Sequence, residues 1–224
     1  MAELYQMTIR AFFQKKNRAK YISHLDLMRC ISRALKRSRL PVWHTLGFNP
    51  HIYTTFALPL ALGYESECES VDFRLTEMLP MQEVTRRLDD ALPPDIHVYR
   101  TQPVRLKPEA ICWADYELAL EFDRQSAEQG LAAFQSWCAR PEILVVKKTK
   151  KGERTMDVKP LFSVWNLRAD AARLCMTMRT AAGISLNINP TLILDTFAAQ
   201  SGFVPDAVSV LRTAVLTGEL EDFS

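Results

Sequence analysis

Apolar and polar positions change period several times along the chain, and each change marks an element. Tyr5–Phe13 (YQMTIRAFF) alternates loosely and is rich in residues that suit a pleated surface, which predicts a strand. From His24 the period lengthens. Leu25, Met28, Cys30, Ile31, Ala34 and Leu35 recur at three- and four-residue spacing, while Arg29, Arg33, Lys36 and Arg37 gather on another side. Ser23 stands just ahead with Asp26 three residues on, a shortened capping box, so a helix with one buried and one basic face is expected. LPVWHTLGFNPH carries Pro41, Gly47 and Pro50 and predicts a loop. Ile52–Leu60 reads as a strand ended by Pro59, Gly63–Ser66 can turn the chain, and Val71–Leu75 reads as a further strand. Met81–Leu92 has a helical stripe of Val84, Leu88 and Leu92, stopped by Pro93 and Pro94 before a strand over Ile96–Val104. The order β-α-β-β-α-β is that of the ferredoxin-like split βαβ pattern.

RLKPEA reads as a linker, and Trp113–Phe122 alternates as a strand. Ser126–Ala139 is expected to be a helix with Leu131, Phe134 and Trp137 inward. Glu142–Lys148 and Arg154–Val158 flank a Lys-rich turn and predict a hairpin, and Ala172–Thr180 predicts a strand. Pro190–Ala199 and Pro205–Thr217 read as helices, each with a proline in its opening turn, where the missing N–H costs little. The expected fold class is therefore α+β. A ferredoxin-like domain over 1–105 is followed by a second, modified ferredoxin-like domain over 106–224.

Composition changes this picture little. With 48% hydrophobic and 24% charged residues in 224, the chain is an ordinary globular sequence, which excludes disorder and low complexity as descriptions of the whole. The net charge of +2 conceals an asymmetry: residues 1–51 hold ten Lys/Arg against two Asp/Glu, and the remainder is acidic. The five cysteines (Cys30, Cys68, Cys112, Cys138, Cys175) are scattered singly, which fits reduced thiols and argues against an iron–sulfur cluster held by this chain alone. The N-terminus lacks the apolar core of a signal peptide, and no apolar run reaches the roughly 20 residues of a membrane span, so a cytoplasmic, soluble protein is expected.

Candidate chemistry concentrates in the basic quarter. Arg29, Arg33 and Lys36/Arg37 lie about one helical turn apart, with Lys15, Lys16, Arg18 and Lys20 just upstream, and several cations tracking a backbone is what nucleic-acid affinity requires. Lys147, Lys148, Lys150 and Lys151 form a second patch, which also serves to keep a hairpin tip soluble. His24, His44 and His51 fall within 28 residues beside Asp26, but no HxH, HxxxH or HExxH spacing occurs, so no metal site is expected. In Gly47-Phe-Asn-Pro-His51 the glycine permits a positive φ and Pro50 holds Asn49 extended, which would fix Asn49 and His51 as rigid polar groups. Phosphate-cradling GxxxxGK[ST] and GxGxxG motifs and the GxSxG elbow are absent.

Tyr21-Ile-Ser-His-Leu-Asp-Leu-Met-Arg29, Arg33-Ala-Leu-Lys36, Leu40-Pro41, Gly47-Phe-Asn-Pro-His51 and Phe56-Ala-Leu-Pro-Leu60, in this order, resemble the bacterial radical-SAM-associated (radical-SAM-linked) protein family, a domain of unknown function. The resemblance implies a companion of a radical SAM protein, with the iron–sulfur cluster and SAM on that partner and no cofactor bound by this chain. It also leans toward RNA or translation. Where the family commonly reads HPK after FNP, this chain has His51-Ile52-Tyr53. Three functions follow as expectations: a non-catalytic accessory protein binding RNA for a radical SAM partner, a docking module for that enzyme without RNA, or a metal-independent ribonuclease using His24 or His51.

Overall fold

The computed structural model describes residues 7–149 and 152–224 and is α+β. Its chain divides into two compact units, one running to Ile111 and reclaiming Asp222–Ser224, the other spanning Cys112–Glu221.

The first unit comprises β1 (Met7–Lys15), α1 (His24–Arg37), β2 (Thr55–Phe56), β3 (Glu65–Leu75), α2 (Met81–Asp89) and β4 (Ile96–Pro103). β1 is the inner strand, antiparallel to both β3 and β4, and β2 pairs antiparallel with β3. Strand alternation sends Ile9, Ala11 and Phe13 of β1 and Val71, Phe73 and Leu75 of β3 to one face. There they meet Leu27, Ile31 and Leu35 of α1 and Val84 and Leu88 of α2 in a continuous buried cluster. The opposite alternation places Arg10 directly across from Asp72 in the β1–β3 register. Arg10 is 0% exposed and grips Asp72 through two hydrogen bonds of 2.7 and 2.9 Å, donates to the Leu106 carbonyl at 2.9 Å, and lies 4.2 Å from the Phe223 ring.

α1 begins as its capping box requires. Ser23 is extended and its Oγ accepts from the Asp26 amide. Replacing Ser23 with alanine is expected to lower stability by about 1 kcal/mol, read as an earlier unfolding midpoint in denaturant. The strand expected over Ile52–Leu60 reduces to Thr55–Phe56, with a lone bridge joining Ile52 to His44. Pro59 cannot donate to a ladder, and the buried Leu58 and Leu60 pack without pairing as strand.

The second unit comprises β5 (Ile111–Glu121), α3 (Ala127–Cys138), β6 (Leu144–Thr149), β7 (Gly152–Asp157), β8 (Phe162–Asp170), β9 (Arg173–Ala181), α4 (Pro190–Ser201) and β10 (Ala207–Thr217). Its sheet runs β10-β5-β9-β8, and β6 and β7 form a separate hairpin. Two expectations are corrected. Pro205–Thr217 is not a helix: Ala207–Thr217 is a strand neighbouring β5, because its Val and Leu residues satisfy a period of two as readily as one of 3.6, and Pro205 precedes the strand. β8, unpredicted, is an edge strand in which Phe162 is buried, Val164, Leu167 and Ala169 are half-buried and the rest is exposed, with a register shift between Trp165 and Arg168. Gly202 adopts φ 79°, the left-handed conformation that ends α4.

Candidate nucleic-acid interface

α1 carries Arg29, Arg33 and Arg37 at four-residue intervals, and all three line one groove of about 760 Å³. Its other wall is the end of α2 and the turn beyond, from which Arg87, Asp90, Ala91, Leu92 and Pro93 contribute. Four guanidiniums and two carboxylates, Asp26 and Asp90, therefore face the same space.

The cations differ in what they are free to do. Arg37 Nη2 donates to the Ala91 carbonyl at 2.6 Å, just past α2, and Arg87 donates through Nε to the Ser38 carbonyl at 3.0 Å and through Nη2 to that of Arg39, just past α1. Each helix thus ends under an arginine from the other, which satisfies carbonyls that no longer have helical partners. Arg39, at φ 54°, turns its carbonyl to Arg87 in a conformation unusual for a residue with a side chain. Arg29 pairs with Asp26 at 3.0 Å on the exposed helix surface, where such pairs contribute little. The Ser23 hydroxyl and then Arg29 hold the Asp26 carboxyl below its usual range. Arg33 is exposed and has no hydrogen-bond or ion-pair partner among the described residues. Cys30, between them, has its thiol pushed up by burial against the opposing effect of Arg37 and Arg33.

The remaining predicted residues are dispersed. Lys36 is exposed but does not line the groove. His24 packs edge-on against Phe56 at 5.1 Å between ring centres. His51 and Asn49 belong to a loop closed on itself. The Thr45 amide donates to the His51 carbonyl at 2.8 Å, the His51 amide to Thr45 Oγ1 at 3.1 Å, and His51 Nδ1 lies 3.1 Å from the Asn49 carbonyl. Nδ1 also lies 3.0 Å from Thr45 Oγ1, a hydroxyl that can donate or accept. Lys147 and Lys148 fall in β6, and Lys150 and Lys151 lie outside the described residues.

Three of the four upstream cations are also accounted for, Arg18 alone of them lying exposed on the 3-10 turn before α1. Lys15 is buried, Lys16 pairs with Glu67 at 2.6 Å and Lys20 with Glu65 at 4.0 Å, so much of the basic excess of the first quarter is balanced by β3. Sequence reasoning missed Arg87 and Asp90 as groove residues. The signal available was two arginines followed by two aspartates in the last turn of a predicted helix. A second depression of about 430 Å³ lies between α2 and β4, where His97 Nδ1 meets Asp89 at 2.9 Å and burial pushes the Tyr99 phenol up to about 12. Among the described residues no three His, Cys, Asp or Glu side chains cluster as metal ligands, and no helix is long and apolar enough to cross a membrane.

The first unit, an α+β scaffold, thus presents a groove lined by four guanidiniums and two carboxylates. The chain belongs to the family described as "Uncharacterized protein conserved in bacteria (DUF2344)", whose model matches residues 8–190. No curated protein matches it. Among solved structures it is similar to one titled "Crystal Structure of an Unknown Protein from Galdieria sulphuraria", at 13% identity over 92% of this chain and 96% of that one. The TM-score there is 0.28, a likeness too loose to carry an argument.

Proposed function

We propose that this chain is a non-catalytic RNA-binding accessory protein, working for a radical SAM partner that itself holds the iron–sulfur cluster and SAM. Both units are read as ferredoxin-like, the first by the order β4-β1-β3-β2 and the second by β10-β5-β9-β8 with the β6–β7 hairpin inserted. The observation that carries the reading is the line Arg29, Arg33, Arg37 along α1, facing a groove with Arg33 uncommitted. That spacing sets three guanidiniums one helical turn apart, which suits successive phosphates. It is supported by a stretch from Leu27 to Tyr64 that contains Arg29, Arg33, Lys36, Arg37 and Arg39 and no Asp or Glu.

The test is a salt titration of binding to a short single-stranded RNA. Reversing Arg29 and Arg33 together to glutamate is expected to weaken binding at least tenfold and to make the salt slope shallower by about 1.4, two phosphates at about 0.7 each. An unchanged affinity and slope would refute the reading. A second reading, docking to an acidic surface of the radical SAM enzyme, is favoured by the carboxylates Asp26 and Asp90 among the groove's guanidiniums, a mixture that suits protein surfaces. It predicts that the same double variant loses the protein partner while the wild type never retains RNA.

A further inference from the structure

We propose that the loop from Trp43 to Tyr53 is a base-stacking element, which makes unpaired RNA rather than duplex the ligand of this protein. The inference rests on the phosphate reading of the α1 groove and adds what that groove cannot supply, a means of telling single strands from double. Trp43, Phe48 and Tyr53 place three aromatic rings within eleven residues. Phe48 is fully exposed and Tyr53 is 46% exposed, so the flat face of each is offered to solvent rather than spent on the core. An isolated exposed side chain would mean little. Here, however, the loop is built to hold it. The Thr45–His51 hydrogen bonds and the His44–Ile52 bridge close the base, and Gly47 turns at φ 120° to bring Phe48 to the tip. The backbone that carries the Phe48 ring is thus already ordered, so a base that stacks there does not have to order the loop.

The neighbourhood suits a nucleic acid more than an apolar surface. The Arg74 guanidinium lies over both the Trp43 ring at 5.1 Å and the Tyr53 ring at 5.6 Å, so one face of Tyr53 is engaged in a cation–π stack of the kind that extends to bases, and its remaining exposed surface is what a base can meet. The loop lies within the carboxylate-free stretch 27–64, so a phosphate brought alongside meets no opposing charge from its own segment. Trp43 follows Ser38, which lines the groove, by five residues, and a chain of that length spans at most about 18 Å. Phe48, five residues further on, lies at most about 36 Å of chain from Ser38, a span that a strand of several nucleotides covers. Base faces inside a duplex are covered by their neighbours, and only unpaired nucleotides can occupy Phe48.

The experiment compares Phe48→Ala, Tyr53→Ala and Leu46→Ala with the wild type, using a short single-stranded RNA and the same strand annealed to its complement. Stacking predicts a roughly tenfold loss of single-strand affinity in Phe48→Ala, a smaller loss in Tyr53→Ala, and an unchanged salt slope, because no cation is removed. Phe48→Trp should retain the affinity, and Leu46→Ala, the removal of an exposed aliphatic neighbour, should leave it unaltered. Wild-type affinity in Phe48→Ala would overturn the stacking role, while the Arg29/Arg33 double variant separately decides the groove. Equal losses in Leu46→Ala and Phe48→Ala, or Phe48-dependent binding to anionic lipid vesicles in place of RNA, would also overturn it in favour of apolar insertion.

Discussion

Replacing Asp72 with asparagine is expected to destabilise the first unit by about 3–5 kcal/mol, the cost of leaving a buried arginine without its counter-charge. Arg10 has no exposed surface on which to recover hydration, and its other supports, the Leu106 carbonyl and the Phe223 ring, carry at most partial charge. The effect should be local. Amide exchange in β1 and β3 should accelerate well before that in β5 and β9, since a chain of two units need not unfold as one. Removing both partners together, as Arg10→Met with Asp72→Leu, should restore most of the stability, because well-packed apolar side chains replace a buried pair at little cost. If Asp72→Asn unfolds no more readily than the wild type, the pair is not what holds β1 to β3.

Trp137→Ala is expected to have a comparable effect on the second unit, about 3–5 kcal/mol for loss of a large buried aromatic. Trp137 is 1% exposed and joins Phe134, Phe162 and Phe197 with ring centres 5.6 to 6.0 Å away. Its indole N–H donates to Gln200 Oε1 at 2.9 Å, which fixes that side chain so that its amide donates to the Leu144 carbonyl at 3.2 Å. One residue thus links α3, α4 and the start of the β6–β7 hairpin. Trp137→Phe keeps most of the ring packing and loses the hydrogen bond, so it should cost less than half as much. Urea unfolding followed by near-ultraviolet circular dichroism separates the two variants.

Most element boundaries were legible because the chain states its periods clearly. Ser23, Ser126 and Asn189 all cap the helices they precede, and the β1 and β5 runs alternate or are apolar enough to be read as strand. β3 runs over Glu65–Leu75 but is legible only from Val71, because its polar first half ESECES reads in part as a turn. The failures have local causes. In Val208–Leu216 the β-branched and aliphatic residues fit two periods, and a preceding proline, a helix signal at Pro190, here only introduces a strand. β8 could not be seen because its inward residues, Phe162 and Val164 and then Leu167 and Ala169, change phase across the register shift between Trp165 and Arg168, where Asn166 adopts φ 52°.

For the site, sequence showed the arginine line of α1, since four-residue spacing is local information. It could not show the far wall of the groove. Arg87 and Asp90 reach it only through the packing of α2 against the same sheet. Nor could it show which cations are taken. Lys16 and Lys20 look as available as Arg33 in the chain, and only the fold supplies Glu67 and Glu65 as their partners.

The buried pair of the first unit has a counterpart of opposite polarity in the second. In β1 and β3 the arginine stands on the inner strand and the aspartate on its neighbour. In β5 and β9 the inner strand carries Asp115, and Arg179 opposite it closes two bonds of 2.6 and 2.7 Å. If β1 were to seek β9 during folding, two guanidiniums would meet in that register. If β5 were to seek β3, two carboxylates would meet. Either error sets like charges opposite one another, which disfavours the pairing directly. Two units with like strand orders in one chain risk exchanging strands, and the inversion of one salt bridge sets a charge penalty on that exchange.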